Sequence, residues 1–328
     1  MANRDRDHLR CFPVVWHTEP MVTRATLRRH EDSHGVQEWV ETEPAPELGP
    51  WIAGYTGYRE EADACVQRLE TPSGGAVLVL SFGDPLTVCR SAGGTGRPAR
   101  SAAANVVTSF AGGISDRPAL TAHAGRQHGV QVRLGPLAVY ALFGVPLDEL
   151  DEHPGGVIDL AELGAGDWGA RLGAAGSWKL RFALLDDLLM ARLARRSGDP
   201  TPEVAYAWRR LRSSHGGARI SELVRESGLS HRAFLSRFRR QVGVAPKTAA
   251  RILRYERATA LLETGTRSVA EVAALSGYAD QAHLDREFAA LAGRSPTRLR
   301  QQRVGSEYQS IRSILFKADG GDGPTLVT

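Results

Sequence analysis

The side chains with the clearest chemistry are arginine and glutamine residues in the last third of the chain. Arg232 follows Ser230 and His231, and Gln281 lies five residues before Arg286. A guanidinium donates two parallel hydrogen bonds to a planar acceptor such as a phosphate or a guanine edge, and a glutamine amide can pair with adenine. These residues therefore offer recognition through hydrogen bonds, provided that folded elements hold them outwards.

Such elements are predicted by a segment that occurs twice between residues 220 and 300. One copy starts at Ile220 and the other at Val269, and both place an apolar pair and a Ser-Gly step at matching positions. Each copy then continues to a phenylalanine, a glycine and a proline at the same intervals: Phe238, Gly243 and Pro246, then Phe288, Gly293 and Pro296. A repeat with fixed offsets predicts the same supersecondary unit twice.

Each copy predicts a helix-turn-helix. Apolar residues at helical spacing form a first helix, which Gly228 or Gly277 can end in the left-handed conformation. Ser230 or Asp280 can then cap the second helix, which buries one face and leaves the other free. This geometry presents the second helix to a DNA major groove. A plain helical bundle is the alternative, because capped helices are common there too.

The charge distribution favours a DNA-binding helix-turn-helix over a plain helical bundle. Residues 206–303 contain 19 Lys and Arg against 8 Asp and Glu, a net charge of +11, and 18 of the cations are arginine. The 205 residues before them contain 20 against 26, a net charge of −6. A basic module beside an acidic one indicates a phosphate-binding surface, and hence double-stranded DNA as a partner.

The residues from Gly277 to Phe288, followed by Gly293-Arg-Ser-Pro296 and Arg300, resemble the signature of the AraC/XylS family of transcriptional regulators. The resemblance covers about the last third of the chain. It implies seven helices in two helix-turn-helix units joined by a long central helix. The stretch from Lys247 to Leu262 fits that connector, with apolar residues at Ile252, Leu253, Ala258, Leu261 and Leu262.

The resemblance also implies roles for individual side chains. Four residues are expected at base edges: Arg232, Gln281, Ala282 and Arg286. Phosphate contacts are expected from Ser230, His231, Arg237, Arg239, Lys247, His283 and Arg294. One departure weakens base reading by the first unit, because Ser236 stands where the family usually has arginine. Arg286 has an alternative role, in which it only pairs with Asp285, Glu287 or a phosphate.

The chain before residue 197 contains strand-like segments at 51–58, 66–70, 76–82, 106–110, 129–134 and 138–143. Their close spacing predicts an antiparallel sandwich or small barrel, and the resemblance implies a cupin-like barrel. The predicted fold class is therefore α+β, with an N-terminal β barrel or sandwich and packing helices ahead of an all-α module. The predicted divisions are an extended lead-in at 1–48, a β-rich domain at 49–197, a linker at 198–205, the DNA-binding domain at 206–303 and a flexible tail at 304–328.

An effector pocket in the β-rich domain is expected around Phe110, His123, His128 and Gln131. No catalytic constellation can be assembled from the sequence, and neither His123 with His128 nor His30 with His34 has the partners of a metal site. The run from Gly164 to Gly169 matches a dinucleotide pattern literally but does not follow a good strand, so it is interpreted as loop. No catalytic residue, metal or cofactor is therefore predicted.

A helix is predicted from Trp178 to Arg196, with a bulky seam at Trp178, Phe182, Leu185 and Leu189. Two alternatives remain open for that seam: it covers the β domain, or it forms a dimer contact. The charged start of the chain, the absence of a long apolar run and the three scattered cysteines (Cys11, Cys65 and Cys89) predict a cytoplasmic protein without disulfides.

The sequence thus predicts a sequence-specific DNA-binding regulator whose first domain senses a small molecule or mediates homodimerisation, with RNA polymerase as a further candidate partner. The alternatives are an enzyme, or a protein-partner-binding domain, fused to the same DNA-binding module. The effector, the operator and the direction of regulation do not follow from the sequence.

Overall fold

The computed structural model describes residues 26–32, 35–91, 103–150, 152–195, 198–304 and 313–315. Over these ranges the chain forms a sandwich of two antiparallel sheets followed by a helical module. The predicted α+β class and antiparallel sandwich are confirmed, and the sheets do not close into a barrel. The lead-in before Thr26, His34, the loop at 92–102 and most of the tail after Val304 lie outside the described residues.

The strands are, in chain order, β1 (Thr26–Asp32), β2 (Gly35–Thr42), β3 (Ile52–Ala62), β4 (Val66–Glu70), β5 (Ala76–Ser81), β6 (Leu86–Arg90), β7 (Asn105–Val107), β8 (Ser109–Gly112), β9 (Ala119–His123), β10 (Arg126–Leu134), β11 (Val157–Asp159) and β12 (Ser313–Leu315). The larger sheet has the order β1-β2-β3-β10-β5-β8-β11 and the smaller sheet has the order β12-β4-β9-β6-β7.

The helices are α1 (Pro136–Phe143), α2 (Leu147–Leu150), α3 (Trp168–Ala174), α4 (Trp178–Ala194), α5 (Pro202–Ser213), α6 (Ile220–Ser227), α7 (His231–Val242), α8 (Pro246–Glu263), α9 (Val269–Leu275), α10 (Gln281–Ala292) and α11 (Pro296–Val304). Two short 3₁₀ turns occur at Pro46–Leu48 and Pro154–Gly156. The last seven helices, α5 to α11, make up the C-terminal module.

Three segments differ from the sequence-based expectations. The predicted strand at 138–143 is part of α1, where Pro136 starts the helix and Gly144, with a φ of 69°, ends it. Seven of the eight α1 residues are buried, so the segment has no polar face to distinguish a helix from a buried strand. Residues 26–32 and 35–42 of the lead-in pair as antiparallel strands that extend the larger sheet along β3, and 313–315 of the tail pair with β4.

The larger sheet buries one face against α1, α3 and α4. Tyr55 of β3 stacks on Phe182 with 5.9 Å between ring centroids, and its hydroxyl donates to Asp186 Oδ1 at 2.7 Å. Trp178 lies over Gly57, where a Cβ would collide with its ring. The α4 seam therefore covers the sheet, as in the first of its two alternatives. The dimer alternative is corrected, since these four side chains (Trp178, Phe182, Leu185 and Leu189) face their own core.

The C-terminal module repeats one packing scheme twice. In the first unit α6 and α7 enclose Phe234 and Phe238, and in the second α9 and α10 enclose Leu284 and Phe288. The connector α8 contributes Ile252 and Leu253 to the first core, and its second half contributes to the other. One continuous helix therefore fixes the two units relative to each other.

The first unit also shares its core with the N-terminal part of the chain. Ile114 and Leu137 are buried in the same cluster as Trp208 and Phe238. The helices α1 and α2 pack on α7, and the predicted linker is tied to the same helix because the Thr201 amide donates to Gln241 Oε1 at 3.0 Å. The two halves of the chain thus meet through apolar packing at the first helix-turn-helix unit.

Candidate nucleic-acid interface and inter-sheet cluster

The first recognition helix, α7, begins at a hydroxyl cap. The Ala233 amide donates to Ser230 Oγ at 3.3 Å, and Gly228 ends the preceding helix with a φ of 68°. Phe234 and Phe238 are fully buried and define the inner face of the helix. His231, Arg232 and Ser236 are exposed on the outer side, so the predicted base reader of the first unit is accessible.

The second recognition helix, α10, begins in an equivalent way. The His283 amide donates to Asp280 Oδ1 at 2.6 Å, and Leu284 and Phe288 anchor the inner face. The outer face carries the three residues predicted at base edges in this unit, all of them exposed: Gln281, Ala282 and Arg286. The residues predicted to contact bases therefore lie on the outer face of both recognition helices.

Arg286 has no ion pair within the described part of the chain. The neighbouring Glu287 accepts instead from Arg251 Nε of the connector, at 2.5 Å, and Glu287 is partly buried there. The alternative in which Glu287 neutralises Arg286 is therefore not the arrangement in this structure. The Arg286 guanidinium remains available to an external acceptor.

The predicted phosphate contacts fall into different settings. His231, Arg239 and Lys247 are exposed. Arg237 donates to Glu203 Oε1 at 2.5 Å, so its charge is partly neutralised. His283 is half-buried beside Tyr278, with 5.3 Å between ring centroids. These residues remain predicted phosphate contacts, and they differ in how accessible they are to DNA.

Arg294 does not fit its predicted role as a phosphate contact. Only 5% of the residue is exposed, and its Nε donates to the Ala292 carbonyl at 3.4 Å. Burial lowers the pKa of its guanidinium. The prediction is corrected: in this fold Arg294 supports the end of α10 and does not reach the surface.

The C-terminal geometry agrees with a comparison of the sequence with protein families, in which a family described as a helix-turn-helix domain matches residues 223–302. The module at residues 223–302 is an AraC-type helix-turn-helix domain. The match covers both recognition helices, the connector and most of α11. A comparison with curated protein sequences found no match.

A comparison with solved structures found AraC-type regulators among its matches. The C-terminal domain of AraT, a response regulator from Geobacillus stearothermophilus, is 22% identical over 34% of this chain and 94% of that chain, with a TM-score of 0.31. ToxT from Vibrio cholerae O395 is 12% identical over 77% of this chain and 98% of that chain, with a TM-score of 0.44. The xylose-binding transcription activator XylR is 18% identical over 37% of this chain and 38% of that chain, with a TM-score of 0.29.

In the sandwich, the face of the larger sheet that is turned toward the smaller one is unusually polar; we call it the inter-sheet face. Directly paired residues of an antiparallel sheet share a face, and the pairings place a set of mostly polar residues there: Gln37, Trp39, Glu41, Thr56, Tyr58, Glu60, Ser81, Gln127 and Gln131. Among the described residues, aliphatic packing between the sheets is confined to a small cluster around Val79, Val88 and Phe110. The main apolar core lies on the other face of this sheet.

Four side chains form a hydrogen-bonded ionic cluster that joins this face to the smaller sheet. We call these residues, Gln37, Glu60, Arg68 and His123, the inter-sheet cluster. Glu60 accepts from Gln37 Nε2 at 2.8 Å and from Arg68 Nη2 at 2.5 Å. His123 Nε2 lies 3.1 Å from Glu60 Oε2, and the Gly125 amide donates to His123 Nδ1. Arg68 Nη1 lies 3.0 Å from the same Nε2, so the imidazole contacts both the carboxylate and the guanidinium of the cluster.

Hydrogen bonding decides the ionisation of Glu60. Burial alone would raise the pKa of this carboxyl, but the hydrogen bonds from His123 and Arg68 and the Arg68 charge lower it to about 2. Tyr58 lies over Gly129, whose missing side chain makes room for the phenol. Burial raises the pKa of the Tyr58 hydroxyl. The cluster therefore holds an ionised carboxylate and a neutral phenol inside the sandwich.

Three of the four predicted effector residues, Phe110, His123 and Gln131, lie on the surfaces between the sheets. His128 lies on the opposite face of the larger sheet, with its ring 4.3 Å from Phe82 and 5.4 Å from Trp178 between centroids. Burial, and then the charges of Arg181 and Arg59, lower its pKa to about 4. His128 therefore cannot line the same space as the other three.

Sequence reasoning missed Glu60, Arg68 and Tyr58. The signal was the alternation Thr56-x-Tyr58-x-Glu60, which places three polar side chains on one face of a strand. Among the described residues, no group of three or more His, Cys, Asp or Glu side chains could hold a metal ion. The Gly164–Gly169 run is a turn leading into α3, and Gly169 packs closely on the Ser81 carbonyl. No helix in the described ranges is long and apolar enough to cross a bilayer.

Proposed function

We propose that this chain is a sequence-specific DNA-binding transcription regulator in which both helix-turn-helix units read successive major grooves. The observation that carries the proposal is the matched presentation of the two recognition helices. Each begins at a side-chain cap and buries an apolar pair, and each exposes an arginine on its outer face: Arg232 in one and Arg286 in the other. The net charge of +11 over residues 206–303 supplies the attraction for phosphate.

Selection of duplexes from a random pool by the full chain tests this proposal. We expect enrichment of a site with two short elements, and binding that weakens linearly in a plot of log affinity against log salt. Failure to enrich any sequence, together with no salt-sensitive binding to any duplex, would refute it. An enzyme fused to the same module would instead require a catalytic group.

We also propose that the space between the two sheets is the effector site and that it accepts a polar small molecule. The support is chemical: a sandwich normally fills this space with aliphatic side chains, whereas here tyrosine, glutamine, serine and an ionic group face it. Burial of such groups costs free energy unless they form hydrogen bonds to each other or to a ligand. Phe110, Gln131 and Tyr58 would contact the ligand, and the inter-sheet cluster would form the polar end.

A panel of polar metabolites tested for thermal stabilisation of the full chain would identify such a ligand. The discriminating variant is Gln131→Leu, which removes a polar group from the inter-sheet face. A matched control is Arg126→Leu, at an exposed position on the other face of the same strand. Stabilisation that is lost in the first variant and kept in the second supports the site. Ligands that stabilise both variants equally place the effector elsewhere, and no stabilising ligand at all favours control by a protein partner.

A further inference from the structure

A cleft of about 620 Å³ opens between the two helix-turn-helix units; we call it the inter-unit cleft. One wall is the loop from Ser214 to Arg219 with the start of α6, and the opposite wall is the end of α9 with Gly277. Its floor is one face of the connector, with Lys247, Arg254 and Arg257. Neither recognition helix forms part of it.

The lining of the cleft is cationic. Arg219, Lys247, Arg254 and Arg257 all face it, and none of the residues that line it is an aspartate or glutamate. Arg219 has only a loose pair with Glu222, at 3.9 Å and largely exposed. Within the described ranges, no ion pair or hydrogen bond neutralises Lys247 or Arg257. Four positive charges that converge without a carboxylate favour an anion from outside.

Hydrogen-bond donors in the cleft also lack partners. Ser276 is 4% exposed, and neither its Oγ nor the buried Arg254 Nε has a hydrogen-bond partner. The eight-residue helix α6 opens into the cleft at Arg219 and Ile220, and its N-terminus has no side-chain cap. Uncapped amides at a helix start carry partial positive charge and bind anions readily. The unused hydrogen-bond donors and the cations thus both favour an anion in the cleft.

We propose that the inter-unit cleft binds phosphates of the DNA backbone that runs between the two base-reading elements. This inference rests on the proposed function. The walls favour DNA over a free anion, because they belong to both units. The wall formed by α9 and Gly277 leads within three residues to Asp280, the cap of the second recognition helix. A backbone crossing from one element to the next would meet all four cations.

The test compares the full chain with four variants by fluorescence anisotropy, on the selected duplex and on a random duplex, over a range of salt. The first variant is Lys247→Gln with Arg257→Gln. Its matched control removes two exposed arginines of α5, Arg209→Gln with Arg210→Gln. A third variant, Leu275→Glu, adds a carboxylate at an exposed position of the cleft, with Leu275→Gln as its neutral counterpart.

We expect the cleft double variant to bind both duplexes more weakly, with the salt slope reduced by about 1.8 because each phosphate contact contributes about 0.9. The ratio of the two affinities should stay unchanged, since phosphates carry no sequence information. Leu275→Glu should weaken binding more than Leu275→Gln, and the α5 control should keep the slope of the unmodified chain. Thermal unfolding of each variant verifies that it is folded.

Unchanged affinity and slope in the cleft variant, while Arg286→Ala still weakens the selected duplex, would overturn the cleft proposal and leave the proposed function intact. No duplex binding by the unmodified chain would overturn both. A cleft variant that loses thermal stabilisation by inorganic phosphate but binds DNA normally would also overturn the proposal, because the cleft would then be a site for a small anion.

Discussion

Arg251 of the connector contacts Asp116 of the N-terminal sandwich, with 3.3 Å between Nη1 and Oδ2. The same guanidinium holds Glu287 of the second recognition helix. One arginine thus joins the sandwich to the helix that carries Arg286, while α1 and α2 join it to the first unit by apolar packing. The first unit therefore touches the domain proposed to bind the effector, and Arg251 links the second unit to that domain.

The first prediction concerns the isolated module. Residues 206–303 alone should bind duplex DNA with strongly salt-dependent affinity, because the +11 charge lies within them. The fragment should also unfold at lower temperature than the full chain, since it loses the packing of Ile114 and Leu137 on its first core. Calorimetry and anisotropy measure the two effects. A fragment that is folded but binds no DNA would contradict the assignment.

The second prediction concerns spacing. If α8 holds the units rigidly, their recognition helices should enter grooves about 34 Å, or roughly 10 bp, apart. Inserting about 5 bp between the two elements turns one element to the opposite side of the duplex, and most of the specific affinity should disappear. A 10-bp insertion is the control for length alone. Unchanged binding after the 5-bp insertion would mean that only one unit reads bases, as Ser236 in the first unit would allow.

The third prediction concerns base reading. Arg286→Ala should weaken the selected site by about 1–3 kcal/mol, the usual value of a bidentate arginine–guanine contact, and leave random DNA almost unaffected. Arg240→Ala, an exposed arginine near the far end of α7, is the control. Equal losses on both DNAs would instead identify Arg286 as a phosphate contact.

The fourth prediction concerns the inter-sheet cluster. Glu60→Gln should destabilise the sandwich near neutral pH by about 3 kcal/mol, because it leaves Arg68 largely buried without its charge partner. Glu61→Gln is the control, since Glu61 is exposed on the other face of β3. Urea unfolding at pH 7 measures both.

The same variant should also change the dependence on pH. The folded-state pKa of Glu60 is lowered from 4.5 to about 2, so its ionised form stabilises the fold above the unfolded-state pKa. That contribution is lost as the pH falls from about 4.5 toward 2. The difference in unfolding free energy between the unmodified chain and Glu60→Gln should therefore shrink over this range. A constant difference would show that the pKa of Glu60 is not lowered.

By itself the sequence determined the C-terminal module, because its signals are local. The caps at Ser230 and Asp280, the turn at Gly228 and the paired phenylalanines act within a few residues of one another, and two copies at the same offsets reinforce each other. The outward positions of Arg232 and Arg286 follow from helical periodicity once the buried residues are known.

Tertiary structure decided the rest. Whether 138–143 is strand or helix depended on burial from all sides, which erases the periodic signal. The separation of His128 from His123 depended on strand register, because neighbouring positions in a strand face opposite sides of the sheet. Burial of Arg294, the pairing of Arg251 with Glu287 and the inter-unit cleft all arise from residues distant in sequence that packing brings together. No local pattern encodes those contacts.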